Sequence, residues 1–171
     1  MWIDRITSLD PGKRLVAVKS VSLSEDHLHD HFPADPARNL HATPVMPASL
    51  IIEGMAQTAG ILVGHTGGFK EKVILAKIGK AALSRDALPG HTLRYTATLD
   101  RFDALGASTS GLVELLDHSS PTPTFTEIGR IDLMFSHIDN NMAGAEFPEH
   151  NFVFSDAFRT LLRSSGIEAP F

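Results

Sequence analysis

An α+β domain with one long helix lying on an antiparallel sheet is what the sequence predicts, on three observations. The segment MPASLIIEGMAQTAGILVG is apolar around most of a helical circumference over Ala48–Gly64, which places that helix in a core. Nearly everything between it and Ile138 reads as strands separated by short turn signals, and consecutive strands of that kind pair antiparallel. The chain has 171 residues, 43% hydrophobic and 20% charged, enough to build one soluble domain with a substantial core.

In chain order, LVAVKSVSL (Leu15–Leu23) is rich in Val and alternates roughly in period two, the signature of a strand. Pro47 stands where a first-turn proline is tolerated, and Gly64, Gly67 and Gly68 end the helix. Strands are then expected near Val73–Leu83, Thr92–Phe102, Ala107–Leu116 and Thr124–Ile138, with LPGH at 88–91 and SSPTP at 119–123 as turns. Phe154–Gly166, FSDAFRTLLRSSG, has the pattern of a short amphipathic helix capped by Ser155 or Asp156. There is no repeat or linker. The expected organisation is a domain over residues 1–140 and an extension over 141–171 whose helix packs on that same domain.

Composition excludes several classes. A net charge of -5 argues against a nucleic-acid binder, which needs clustered Lys and Arg. The absence of cysteine removes disulfides, thiolate chemistry and a Cys-based zinc site. The apolar helix is too short, and too polar at Glu53 and Gln57, to span a membrane. The first residues lack the apolar run of a secretory signal, so a cytoplasmic location is expected.

The polar exceptions on the helix fall together. Glu53, Gln57, Gly60 and Gly64 lie at i, i+4, i+7 and i+11, one face that is polar at its start and bare further along. Gln57, one turn from Glu53, is in reach to hydrogen-bond it and fix its rotamer. A carboxylate buried among apolar groups resists ionisation, as a general acid near neutral pH must. The plainer reading is a Glu paired with Lys or Arg, or wetted by a tilt of the helix. His27, His29 and His31 alternate in DHLHDHFP and would share a face if extended. That spacing suits either a metal site or, as the favoured reading, a surface loop. His41 lies within the proline-rich stretch that precedes the helix.

HFPADP (31–36) followed by VMPASLIIEGMAQTAGIL (45–62) closely resembles the 3-hydroxyacyl-acyl-carrier-protein dehydratases of fatty acid synthesis, the FabZ/FabA type. IDRITSLDPGKRLVAVKSVS is similar to that family's N-terminal segment and first strand, and VILAKIGKAALSRDALPGHTLR to its strand–turn–strand after the helix. The resemblance runs from about Ile3 to Ile138. It implies the hot-dog fold, a bent antiparallel sheet wrapped around one long central helix. It also implies a homodimer, compatible with a trimer of dimers, in which each site takes its His from one subunit and its carboxylate from the other.

Carried over residue by residue, the resemblance makes His31 the catalytic base and Glu53 the acid. It gives Ala48 the backbone N–H that polarises the thioester carbonyl and Gln57 a supporting role. Gly60, Gly64, Phe32 and Met46 become tunnel residues. It implies no metal or bound cofactor. The substrate rides on the phosphopantetheine of acyl carrier protein, or on coenzyme A, and Lys70, Lys72, Lys77, Lys80 and Arg85 are candidates for the carrier's docking patch. A Glu at position 53 leans toward the plain dehydratase rather than the dehydratase–isomerase branch.

Two departures bear on this assignment. ARNLHATP, Ala37–Pro44, is inserted between the two motifs. It could bulge outward, cover the tunnel, or displace His31 so that His41 serves as the base; His31 is favoured. Ala34 and Ala48 replace the family's usual glycines, a strain of about 1 kcal/mol or more at each if positive φ is required. A hot-dog thioesterase and a non-catalytic acyl-binding subunit are the competing readings.

Overall fold

The computed structural model describes residues 1–138 and 153–170. Strands β1 (Arg5–Asp10), β2 (Arg14–Ser20), β3 (Val73–Leu83), β4 (His91–Asp103), β5 (Gly106–Asp117) and β6 (Phe125–His137) form one sheet. Its order is β1-β2-β4-β5-β6-β3, and the pairings are antiparallel throughout. The helices are α1 (Asp26–His29), α2 (Ala48–Thr66) and α3 (Asp156–Ser164), with a 3₁₀ turn at Pro36–Arg38. This is the hot-dog arrangement: α2 lies on the sheet and touches β2, β3, β4, β5 and β6.

Alternation builds the contact. Leu93, Tyr95 and Ala97 of β4, Val113 and Leu115 of β5, and Ile131, Leu133 and Phe135 of β6 are buried. They meet Ile51, Met55, Ala59 and Leu62 of α2 in one core. The helix comes closest at Gly54, where an added Cβ would stand 2.6 Å from the Tyr95 ring. Only a residue without a side chain lets helix and aromatic strand approach so closely.

Several expectations are corrected. β1 escaped the sequence pattern because a register shift between Ile6 and Ser8 breaks its alternation. β2 stops at Ser20, where the chain turns and Val21 N–H donates to His91 O at 3.0 Å. Residues 26–29 are helical rather than extended, so His27, His29 and His31 do not share a strand face. Ser155 precedes α3 but its side chain makes no capping hydrogen bond. The expected boundary between residues 140 and 141 lies outside the described residues. Among those described, no helix is long and apolar enough to cross a membrane.

The two sheet edges differ. Beside β1, α3 inserts Leu161 and Leu162 into the core, and Ser165 Oγ accepts from Ile6 N–H at 3.0 Å. Among the described residues the β3 edge carries no such cover: nine consecutive residues, Ile74–Ala82, are exposed, among them Ile74, Leu75 and Ile78.

One ionic cluster ties the β3–β4 connection to the end of β5. Asp117 accepts from Ser119 Oγ at 2.6 Å, Ser119 N–H at 3.0 Å and the Arg85 guanidinium at 3.0 Å. These bonds, led by the Ser119 hydroxyl, hold its carboxyl down at about 2. A depressed carboxylate stabilises the fold above its unfolded value and loses that contribution as pH falls through the folded one. In urea titrations Asp117→Asn should be less stable than the parent near neutral pH, with the gap closing between 3.8 and about 2. A gap that is constant across this range would show that the carboxylate charge plays no part.

Candidate functional site

The site begins with a buried lysine. Period two puts Lys19 on the inward face of β2 with Leu15 and Ala17, where a lone ammonium would be costly. Its Nζ donates to Asp4 Oδ1 at 3.2 Å, to Ser20 O at 2.9 Å and to Glu25 Oε1. The residue preceding α1 is thereby tied to β2, while Leu28 of α1 is fully buried. Those two anchors fix the Leu28 carbonyl, and His31 Nδ1 lies 2.8 Å from its oxygen. A carbonyl can only accept, so Nδ1 carries the proton and the neutral ring keeps its lone pair on Nε2. The other two histidines of the motif go elsewhere. His27 packs edge-on against Trp2 at 5.0 Å, and His29 is exposed beside Asp30.

After His31 the chain makes a small hairpin, with bridges Phe32–Thr43 and Asp35–Leu40. Asp35 Oδ1 accepts from Ala37 N–H and Arg38 N–H at the tip, and Asn39 takes the left-handed turn with φ 55°. The inserted residues 37–44 are therefore the tip and return arm of an outward excursion. His31 stays at its base, whereas His41 is exposed on the return arm. The hairpin presents Phe32, 82% exposed, and Leu40, 55% exposed. Neither Ala34 nor Ala48 has positive φ, since among described non-glycine residues only Asn39 and Phe69 do. The replaced glycines thus cost no backbone strain here.

Glu53 is exposed in the single protomer, not buried as its apolar neighbours suggested. The reason is geometric: Gly54, Met55 and Ala56 turn toward the sheet and core, leaving the Glu53/Gln57/Gly60 stripe to face a cleft. That cleft is about 270 Å³ and mostly apolar, with Val73–Leu75, Phe135 and Phe154 among its walls. Gln57 Nε2 donates to Glu53 Oε1 at 3.0 Å, while its Oε1 accepts from Trp2 N–H at 2.8 Å. The main-chain donor at Trp2 therefore dictates which end of the amide faces the carboxylate.

At the start of α2, Met46 is buried and its N–H donates to Ala87 O at 2.9 Å. The first turn of the helix holds no acid and Pro47 offers no side-chain cap. Among the described residues no acceptor meets Ala48 N–H, and Ala48 is exposed, so the positive end of the helix dipole has no partner there. Gly60 leaves space against Phe135, 3.7 Å from where a Cβ would stand. Gly64, expected as a tunnel wall, is instead filled by the ring of Phe154. Of the proposed basic patch, Lys72 is buried and Arg85 is paired with Asp117, leaving Lys70, Lys77 and Lys80 exposed.

Within one protomer no hydrogen bond or ion pair links His31 to Glu53. Two groups that sequence reasoning missed are the backbone atoms Leu28 O and Trp2 N, which no residue type could announce. Lys19 did carry a signal, because a lysine at an inward strand position demands acidic partners. Tyr95, fully buried with no partner for its hydroxyl among the described residues, also lay hidden. Burial, then the carboxylates of Asp4 and Glu25, push its phenol well above the ordinary range, so it remains protonated. Among the described residues no three His, Asp or Glu side chains come together as a metal site requires.

Residues 1–111 match the FabA-like domain. The 3-hydroxyacyl-[acyl-carrier-protein] dehydratase FabZ of Magnetococcus marinus is 40% identical over 102 residues, 58% of this chain and 61% of that protein. FabZ of Clostridium tetani is 39% identical over 95 residues, 55% and 61% of the two chains. The chain thus spans about three fifths of the length of these curated relatives. Among solved structures, the dehydratase heterocomplex ApeI:P from Xenorhabdus doucetiae superposes with a TM-score of 0.58 at 17% identity, covering 80% of this chain and 82% of that one. The PaaI protein of E. coli does so at 0.53 and 12%, covering 80% and 79%. At such identities the likeness concerns the fold, which is the hot dog.

The bond to Leu28 O has a direct readout. Long-range proton–nitrogen NMR of the neutral protein should find His31 protonated at Nδ1 and bare at Nε2. The opposite tautomer, protonated at Nε2, would contradict the geometry.

Proposed function

Because the chain belongs to the FabA-like domain family, we propose that it is a hydro-lyase that dehydrates (3R)-3-hydroxyacyl thioesters to trans-2-enoyl thioesters on acyl carrier protein, in cytoplasmic fatty acid synthesis. One observation carries this reading. The chain holds two separate proton-transfer groups: an imidazole with its Nε2 lone pair free and a carboxylate held by Gln57 at the mouth of an apolar cleft. Removing a proton at C2 and protonating a departing hydroxyl at C3 needs two such groups, whereas thioester hydrolysis needs only an activated water.

In the proposed reaction His31 Nε2 takes the C2 proton. The C2–H electron pair forms the C2=C3 bond as the C3–O bond breaks, and Glu53 gives its proton so that the hydroxyl leaves as water. Ala48 N–H, at the positive end of α2, meets the thioester oxygen as negative charge develops there. A positioned acid or base contributes about 10²–10⁴-fold and an oxyanion donor about 10²–10³-fold. These roles fall entirely to this chain's own groups, with the substrate carried on phosphopantetheine.

No hydrogen bond or ion pair joins His31 to Glu53 within one protomer, and the reading brings them together through a second copy. The open β3 edge, apolar at Ile74, Leu75 and Ile78, supports a homodimer in which two β3 strands pair and join the sheets. Val73–Leu75 also line the Glu53 cleft, so a partner seated there lies at its rim. The exposed hairpin with Phe32 and His31 is then free to reach across. Lys70, Lys77 and Lys80 are the remaining candidates for meeting an acidic carrier protein.

Incubation with crotonyl and 3-hydroxybutyryl thioesters tests the reading directly. Reversible change in enoyl absorbance without free thiol is expected; release of thiol would make the protein a thioesterase. Glu53→Gln and His31→Ala should each lower hydration by about 10²-fold or more in protein that still folds, and full activity in either would remove that residue from the mechanism. The paired change Leu75→Asp with Ile78→Asp should convert a sedimenting dimer to monomer and abolish turnover with it. An unchanged dimer would mean that another face is the interface.

A further inference from the structure

The cleft below Glu53 ends abruptly. Its apolar floor passes Gly60, where there is room beside Phe135, and stops one turn later at Gly64. There the Phe154 ring fills the space a side chain would occupy, with Cζ 2.4 Å and Cε2 3.0 Å from the ideal Cβ position. Phe69 Cδ1 stands 3.0 Å from the same point. Phe154 is 2% exposed and packs edge-on against Phe69 at 5.0 Å and Phe158 at 5.8 Å.

Two features show the plug to be built into the fold. Phe69 holds φ 55°, a left-handed conformation costly to a bulky residue, and in it the ring faces Phe154. Phe154 and Phe158 both lie beyond residue 111, the last one matched by the FabA-like domain. The stopper therefore comes from the part of the chain outside that match.

We propose that Phe154 sets the acyl chain length, closing the cleft between Gly60 and Gly64 so that it admits short acyl groups and rejects long ones. This rests on the reading of the cleft as the acyl site. At roughly 30 Å³ for each water-sized group, about 270 Å³ holds an acyl chain of about eight carbons or fewer.

The test is a calorimetric binding series with unreactive S-alkyl thioethers of coenzyme A carrying alkyl chains of increasing length. Parent protein should bind about fourfold more tightly for each methylene that the cleft accommodates, up to about eight carbons, and gain nothing beyond. In Phe154→Ala the rise should continue for two or more carbons, roughly tenfold or more in affinity for the longer chains. Gly60→Val, whose added Cβ has only the ordinary contact with Phe135, should move the limit to shorter chains and serves if Phe154→Ala does not fold. An unchanged limit in either folded variant, or a parent whose affinity keeps rising past a dozen carbons or so, overturns the inference. The expected limits without any hydration of crotonyl thioester would support Phe154 as the stopper and sink the dehydratase reading. Hydration with no dependence on Phe154 or Gly60 would do the reverse.

Discussion

A nineteen-residue helix that is apolar nearly all round needs more cover than one face of a sheet can give, and the rest of the molecule follows from that shortage. The sheet takes one side, closely enough that Gly54 must do without a side chain beneath Tyr95. The remaining circumference is divided among the N-terminal residues, the tail from Val153 onward and the cleft itself. Among the described residues Glu53, Gln57 and Gly60 are left facing that cleft. Packing thus leaves one cleft along this stripe, lined by Glu53, Gln57 and Gly60.

Positioning around that stripe is done largely by main-chain atoms. Trp2 N–H orients Gln57, which holds Glu53, and away from the stripe Leu28 O orients His31 in the same way. The ionic contacts of Lys19 anchor the segments that carry two of these groups. Buried ion pairs are a poor source of net stability, since desolvation cancels much of their attraction. Their effect here is geometric, joining β1, β2 and the approach to α1 at one point.

The helix, four of the strands after it and the Glu53/Gln57 stripe were legible because periodicity reports burial directly, and α2 and β3–β6 are long enough to express it. β1 was not, because a bulge interrupts its alternation. The short helix at Asp26–His29 was missed because four residues cannot show a period of 3.6. Exposure of Glu53 was misjudged for a different reason: an apolar neighbourhood in sequence says nothing about which neighbour is absent in space. The replaced glycines could not be weighed without φ values. Occupation of Gly64 by Phe154 was equally invisible, since that contact joins the central helix to a residue of the tail.

Fixing the His31 tautomer through the Leu28 carbonyl has an evolutionary consequence. A side-chain partner can be lost in one codon change, but every residue brings the same carbonyl. Positions 26 to 30 can therefore drift widely, so long as position 28 stays greasy enough to remain inside, and the imidazole will keep its proton on the same nitrogen. Sequence variety in that short helix is accordingly compatible with one fixed tautomer just downstream.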